Sequence, residues 1–478
     1  MSKAILEEIA QWKLEAKLED SERYFYFGRE TKLALEGSRC YIIGRKGTGK
    51  TAISEHICRI KEAKVFSEKL TFKNFPFNEL YSQKNDQFRA PNQFITIWKY
   101  LIYSFVCRMM LKNETVNAEV RRVLGEIYSS DPIVTLSRTF SQWTSREFDL
   151  KVLGTGLGVK LGRQYKTGDA TISEKTDLLE DLILNHIDDS SYYIVFDELD
   201  EDYKDILREA KSREYIELLT SLFKAVQDVR SIFRGTGKRV LPIIFLRDDI
   251  YDFIQDSDKN KWGDFRLDMD WTQEKIQDLL AFRITRAIDP VATAMPFDVV
   301  WNKIFRHKEI MFGDRQRFST TVFDYITRST HLRPRDYVKY LQTCAEYSIS
   351  NGLDQITAVT VKKVDKGFSN YLRNEIVDEV YALIPDIDEV LNIFSEIRKQ
   401  VLSQEEFRTA YNVRVKQGLF KIKDADLVLR LLFHFSIIGN QPRQKNVRIF
   451  QYLNKEARLN PNEKIQVHRG LFKSLQIL

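Results

Sequence analysis

The sequence predicts an α/β chain with a parallel-sheet core, followed by a run of helices and then a helix-and-ribbon module of winged-helix-like layout. Three observations carry this. Two apolar β-type runs, Cys40–Ile43 and Tyr193–Phe196, end in residues that interrupt a buried strand, Gly44 and Asp197. A third run, Val240–Leu246, follows a helical segment over Lys204–Arg230, which gives the strand–helix–strand rhythm of a parallel sheet. From Trp271 onward the apolar spacing becomes helical, as in Ile276, Leu279, Leu280 and Ile284.

The 478 residues exceed one ordinary core, so two to four domains are expected. A 43% hydrophobic and 30% charged composition, with 12% aromatic residues, describes a globular chain rather than a disordered one. No apolar run reads as long enough to span a bilayer, and the first residues have a charged amphipathic pattern without a signal peptide's apolar middle. Cys40, Cys58, Cys107 and Cys344 show no CxxC spacing, which indicates neither a zinc site nor a disulfide framework, and a cytoplasmic location is expected. The net charge of +6 is unevenly spread. Residues 401–478 hold 14 Lys/Arg against 6 Asp/Glu, a balance of +8, which leaves −2 for the rest. A basic C-terminal module suggests an anionic partner, with a solvated surface of small excess charge as the alternative.

Residues 1–35 read as a helical arm ending near Tyr24–Phe27, an aromatic cluster suited to core packing. The stretch that follows Cys40–Ile43 is Gly44, Arg45, Lys46, Gly47, Thr48, Gly49, Lys50, Thr51 and Ala52, leading into a helix with Ile53, Ile57 and Ile60 on its apolar positions. Strand, GxxxxGK[ST] loop and helix together make a P-loop. Its glycines permit backbone that a Cβ would hinder, so successive N–H groups wrap phosphates at a helix N-terminus. Lys50 is expected on the β- and γ-phosphates and Thr51 on Mg²⁺.

Val65–Phe77 alternates like a strand, and Pro91–Met110 has one apolar stripe and a proline suited to a helix start. The glycine ribbon Phe148–Gly162 has GxGxG spacing and strand-like alternation, which reads as a hairpin rather than a second dinucleotide site. Asp197 and Glu198 close the strand Tyr193–Phe196 at the edge where parallel sheets bind ligands, so Asp197 is expected in the Mg²⁺ shell and Glu198 on the attacking water. Arg247, at the tip of Val240–Leu246, would point at the γ-phosphate; an ion pair with Asp248 or Asp249 is its structural alternative. Thr330–Asp336 opens a helix over Tyr337–Ser348. In the last hundred residues Ser403 and Glu406 form a capping box, a helix over Asp424–Ile438 stops at Gly439, and strand-like Asn446–Leu453 and Lys464–His468 follow.

With GRKGTGKT as Walker A, YYIVFDELDE as Walker B and IIFLRDD as a sensor strand, the chain resembles AAA+/STAND-type P-loop ATPases. It resembles especially the bacterial stand-alone P-loop ATPases related to origin-recognition-type initiators, well over residues 30–350 and loosely beyond. The resemblance implies an ATP- and Mg²⁺-dependent ATPase with a helical lid, in which LRPRD offers Arg333 or Arg335 to the phosphates and places Pro334 near the base. Leu332 stands where the STAND form has glycine, which leaves open which arginine senses, and the 147 positions from Lys50 to Asp197 imply an insertion at about 65–190. Arg266 is a candidate trans-acting arginine finger. The expected division is an N-terminal arm (1–30), a P-loop core (31–270), a lid (271–375) and a winged-helix-like domain (376–478). Expected partners are ATP, a second copy or a partner protein, and double-stranded DNA through the basic C-terminal region, with no membrane. A role in antiviral defence follows from the resemblance alone. ATP is preferred to GTP because no NKxD-type signature appears. A nucleotide-gated switch that hydrolyses slowly or not at all is the alternative to a turning-over ATPase.

Overall fold

The computed structural model describes residues 2–72, 77–84, 89–90, 92–128, 136–144, 171–200, 209–444 and 447–477. The chain forms two compact units, one of residues 27–45 and 50–269, the other of residues 1–26, 46–49 and 270–478. The ribbon expected over Phe148–Gly162 lies outside the described residues.

The first unit is built on a five-stranded sheet of β1 (Tyr41–Ile43), β2 (Val65–Thr71), β3 (Ser191–Asp197), β4 (Arg239–Leu246) and β5 (Arg266–Asp268). The strands are all parallel in the order β2-β3-β4-β1-β5. The middle strands are buried along almost their whole length, which explains their unbroken apolar runs. Pro242 sits in β4, a central strand, where a missing N–H ordinarily breaks a ladder. Its neighbour two residues on, Ile244, donates to Cys40, the residue just before β1. Pro242 therefore faces the side where β1 has not yet begun, and no ladder bond is lost.

Helix Lys50–Arg59 connects β1 to β2, and helix Glu209–Thr236 connects β3 to β4. Between β2 and β3 the described residues form helices Phe77–Tyr81, Ile95–Lys112, Ala118–Ile127, Leu136–Thr144 and Ile172–His186. Ile95–Lys112 is preceded by a 3₁₀ turn over Asn92–Phe94, so the helix begins four residues after Pro91. Contrary to the reading from sequence, Asn92–Lys112 is long and apolar enough to cross a membrane by length and composition. Most of it is buried within the protein, with Trp98, Tyr100, Leu101, Tyr103 and Val106 all enclosed, and a helix buried on every side is apolar all round.

The second unit is mainly helical. Helix Ser2–Ala10 packs its apolar positions Ile5, Leu6 and Ile9 against helices Gln273–Ile288 and Pro334–Ser350. Gln342 Nε2 donates to the carbonyls of Ala10 and Trp12 at 3.4 and 3.3 Å. Arg283 lies over the rings of Trp12 and Tyr24 and pairs with Glu19. A hairpin of β6 (Glu309–Phe312) and β7 (Phe318–Thr321) leads into helices Val322–Thr327, Pro334–Ser350 and Ala358–Val380.

The last part has winged-helix order: helix Ile387–Ile397, β8 (Val401–Leu402), helices Gln404–Lys416 and Ala425–His434, then β9 (Ile438–Gln441) and β10 (Lys464–Val467) in a sheet of order β8-β10-β9. Ser403 and Glu406 make the capping box expected from sequence. The helix before β9 ends at His434, four residues short of its expected end, and Gly439 lies in β9. Its smallness serves a close approach there, since a Cβ would stand 2.8 Å from the Ile449 carbonyl. The stretch expected as a strand near residues 446–453 contributes one bridge, Ile449 with Asn440.

Candidate nucleotide site

The register of the sheet puts the ends of β1, β4 and β3 at one carboxyl edge, with Ile43 beside Leu246 and Phe196 beside Ile244. The Gly44 N–H donates to the Leu246 carbonyl at 3.2 Å, which fixes the start of the glycine loop against the tip of β4. Gly47 and Gly49 have φ of 84° and 98°, a region L-residues adopt only with strain, so two of the motif's glycines answer a backbone demand.

Lys50 folds back over its own loop, donating to the carbonyls of Gly44 at 2.6 Å and Arg45 at 3.0 Å. Burial lowers its pKa, opposed by the charges of Asp248 and Asp200, while Arg247 lowers it and Asp197 raises it. These effects place Lys50, Asp197 at the end of β3, Asp200 beyond it, and Arg247 and Asp248 after β4 in one electrostatic neighbourhood. A half-buried ammonium held on carbonyls can reach an anion by exchanging those bonds.

Asp197 is buried at the end of β3. Ser54 Oγ donates to its Oδ2 at 2.7 Å, and Lys69 Nζ pairs with the same oxygen at 2.8 Å. Ser54 lies one turn beyond Thr51, and its Oγ stands 3.1 Å from the Thr51 carbonyl as an alternative acceptor. The helix that carries Thr51 is thereby tied to the strand that carries Asp197. Lys69 also contacts Ser54 and Glu55 at 2.8 Å each. Lys69 and Ser54 were not singled out from the sequence. Ser54 had a signal in its position three residues after Thr51 on the same helix face. Lys69 had none without the pairing of β2 with β3.

Glu198 follows with φ of 57°, a left-handed conformation uncommon for a residue with a side chain. Its N–H donates to Asp197 Oδ1 at 3.0 Å. Arg247 makes a two-pronged contact with Asp249, at 2.9 and 2.7 Å, and approaches Asp200 at 3.6 Å. The ion-pair alternative for this arginine is thus present in the structure. Arg266 starts the edge strand β5, where it pairs with Asp268 at 2.6 Å and lies 4.6 Å from the Tyr251 ring centre.

Among the described residues no group of three or more His, Cys, Asp or Glu is placed to hold a metal. Magnesium in a triphosphate site needs no such cage, because one or two protein groups, phosphates and water complete its shell. A threonine hydroxyl at Thr51 and a carboxylate at Asp197 are of the oxygen types that fit that donor set.

The remaining predicted residues belong to the second unit. Arg333 is fully buried and meets Asp336 at 3.1 Å, Glu379 at 3.2 Å and the Lys46 carbonyl at 3.3 Å. Burial lowers its pKa, but the charges of Asp336 and Glu379 outweigh this and push it further up. Pro334 takes the first turn of helix Pro334–Ser350, where its missing N–H costs nothing. Arg335 is more exposed and pairs with Glu375 at 3.3 Å, and its N–H approaches the Gly47 carbonyl at 3.4 Å. Lys46 pairs with Glu375 at 3.4 Å, and Trp271 Nε1 donates to the Thr48 carbonyl at 2.9 Å.

The family model described as the FunZ-associated C-terminal helical domain matches residues 274–377. No curated protein matches the chain. Among solved structures, the chain is similar to the Aeropyrum pernix ORC2 protein in ADPNP–ADP complexes, at 13% identity and a TM-score of 0.42 over 93% of this chain and 88% of that one. It is similar to the Aeropyrum pernix ORC1 protein in complex with DNA, at 12% identity and a TM-score of 0.38 over 97% and 96%. A further similar structure is Cdc6p from Pyrobaculum aerophilum, at 11% identity and a TM-score of 0.33 over 94% and 91%. The chain's own geometry, with a glycine loop leaving β1, an acid ending β3 and a winged-helix end, is that of a P-loop α/β fold with a C-terminal winged helix.

Proposed function

We propose that the protein binds ATP with Mg²⁺ and hydrolyses its β–γ bond. The observation that carries this is the gathering of Lys50, Asp197, Asp200, Asp248 and Arg247 at one edge of the parallel sheet. Lys50 exchanges its loop carbonyls for the β- and γ-phosphate oxygens, and the N–H groups of Arg45–Ala52 take the remaining charge. Thr51 and Asp197 would hold the magnesium, which would neutralise charge on the phosphates. Glu198 orients water and accepts its proton, and Arg247 adds positive charge when released from Asp249. Phosphate release with Mg·ATP tests the reading: Lys50→Ala abolishes it and Glu198→Gln slows it. A Lys50→Ala protein as active as the parent ends it. Competition with GTP decides the base.

One arrangement favours a second reading, a nucleotide-gated switch of slow turnover. Arg247 is engaged by Asp249, Arg333 by Asp336 and Glu379, and Arg335 by Glu375, so all three sensor candidates sit in ion pairs. Measurable assembly on adding ATP, with little phosphate released, supports the switch. In either reading the partner is a second copy, a partner protein, or double-stranded DNA met through the basic C-terminal region. Loss of phage protection in cells carrying Lys50→Ala tests a defence role.

A further inference from the structure

The exposed face of helix Ala425–His434, where a winged helix offers side chains to a groove, is a poor match for DNA here. It presents Asp426, Leu427 and Arg430. Arg430 lies 3.7 Å from Asp424, and Asp426 is paired with Arg408 at 2.8 Å. The charges on this face are thus balanced by their own neighbours.

A different cluster holds positive charge outside any ion pair among the described residues. Arg328 follows helix Val322–Thr327, Arg469 follows β10, and Arg448 lies on the wing between β9 and β10. Arg328 lies over the Phe312 ring at 4.5 Å, and Arg469 over Tyr325 at 4.4 Å and Phe312 at 6.0 Å. Among the described residues none of the three arginines forms an ion pair. Burial, then the like charges of Arg469 and Arg448, push the Arg328 pKa below its ordinary value, with Tyr325 and Asp324 opposing. Like charges brought this close cost stability unless an anion joins them. A guanidinium resting on an aromatic face is held in orientation while its edge N–H groups remain available.

The surroundings extend the same character. Arg315 and Arg317 are exposed at the turn of the β6–β7 hairpin, and Phe318 beside them is 59% exposed. The hairpin is fixed in shape by Gly313, whose φ is 80° and where a Cβ would lie 2.7 Å from the Phe318 ring. The Arg469 turn is fixed too, because a Cβ on Gly470 would lie 2.2 Å from the Ser329 carbonyl. His331 and His468, with ring centres 4.4 Å apart, pack the same junction.

We propose that Arg328, Arg448 and Arg469, together with the β6–β7 hairpin, form a docking surface for the phosphodiester backbone of double-stranded DNA. An acidic protein presents carboxylates interspersed with other groups, whereas a nucleic-acid strand presents an unbroken row of phosphates, and planar guanidiniums match phosphate oxygens two at a time. The surface rests on the DNA partner named above and extends its place from the basic C-terminal region to the hairpin and wing.

The test is anisotropy of a labelled mixed-sequence DNA duplex titrated with the full-length protein across about 50–200 mM NaCl. Removing three phosphate contacts lowers the log–log salt slope by about 2.7, so the triple variant R328Q/R448Q/R469Q is expected to show that drop and to bind roughly tenfold or more weakly. The exposed triple variant R448Q/R315Q/R317Q disturbs no ring packing and is expected to weaken binding in the same direction, with phosphate release unaltered. R430Q is expected to change little. Binding by the parent with unchanged affinity and slope in both triple variants overturns the surface and leaves the DNA partner standing. No binding by the parent overturns both. Tighter binding of an RNA duplex or of polyglutamate overturns the assignment to DNA.

Discussion

Replacing Arg333 with glutamine should injure the fold, whereas replacing Arg335 should injure the chemistry. The Arg333 side chain is 2% exposed and its partners Asp336 and Glu379 are 0% and 5% exposed, at 3.1 and 3.2 Å. Two carboxylates so enclosed lose their shared cation, and breaking a buried pair of this kind costs about 3–5 kcal/mol. At about 2–4 °C per kcal/mol for a body of this size, the melting temperature is expected to fall by about 6–20 °C. Arg335 and Glu375 are 27% and 18% exposed, and a pair in that setting contributes about 0–1 kcal/mol. R335Q should therefore melt within a few degrees of the parent. If it also slows phosphate release, Arg335 is the phosphate-sensing arginine. Differential scanning fluorimetry and a phosphate assay on the two variants suffice. An R333Q protein that melts with the parent would refute the claim that this arginine is held as a structural ion.

Three further outcomes are expected. Lys69→Met removes the cation at 2.8 Å from Asp197, so the unliganded protein should melt lower while the Mg²⁺ midpoint for phosphate release shifts to lower concentration. Gly49→Ala forces a side chain to φ of 98° and should cost about 1–2 kcal/mol, read by chemical denaturation, and weaken nucleotide binding. Ser403→Ala removes the helix cap at a cost of about 1 kcal/mol. Its partner Glu406 is held down to about 2 by a hydrogen bond from Lys399 and then by those from Ser403. A depressed carboxylate stabilises the fold above its ordinary value of 4.5, and that contribution fades as pH falls toward about 2. The gap between parent and Ser403→Ala should narrow across that window, and no narrowing would show that Glu406 is not titrating as described.

The glycine loop and the acids Asp197 and Glu198 at the end of β3 were legible because each obeys a local rule. Positive φ selects glycine at Gly47 and Gly49, and a strand that turns abruptly from Phe196 to Asp197 announces its own end. What escaped depends on contacts between distant segments. Lys69 reaches Asp197 only because β2 pairs with β3, and Arg333 is trapped by Glu379 from another helix. Gly439 read as a helix stop because a glycine after an apolar helical run usually is one, whereas the Ile449 carbonyl that requires it is ten positions away. The apolar helix after Pro91 was visible, but its burial on all sides was not, since periodicity reports a face and this helix has no exposed one.

Helix Ser2–Ala10 is made well before its packing partner Pro334–Ser350, which is completed 340 residues later. At about 5–20 residues per second, its apolar side waits about 17–70 s for a permanent surface. The intervening sheet unit can mature during that interval, so the helical unit closes on residues made on both sides of it. Deleting the first dozen residues should consequently behave as a lesion in the late-made half, lowering its yield and its resistance to protease while the sheet unit survives as a fragment.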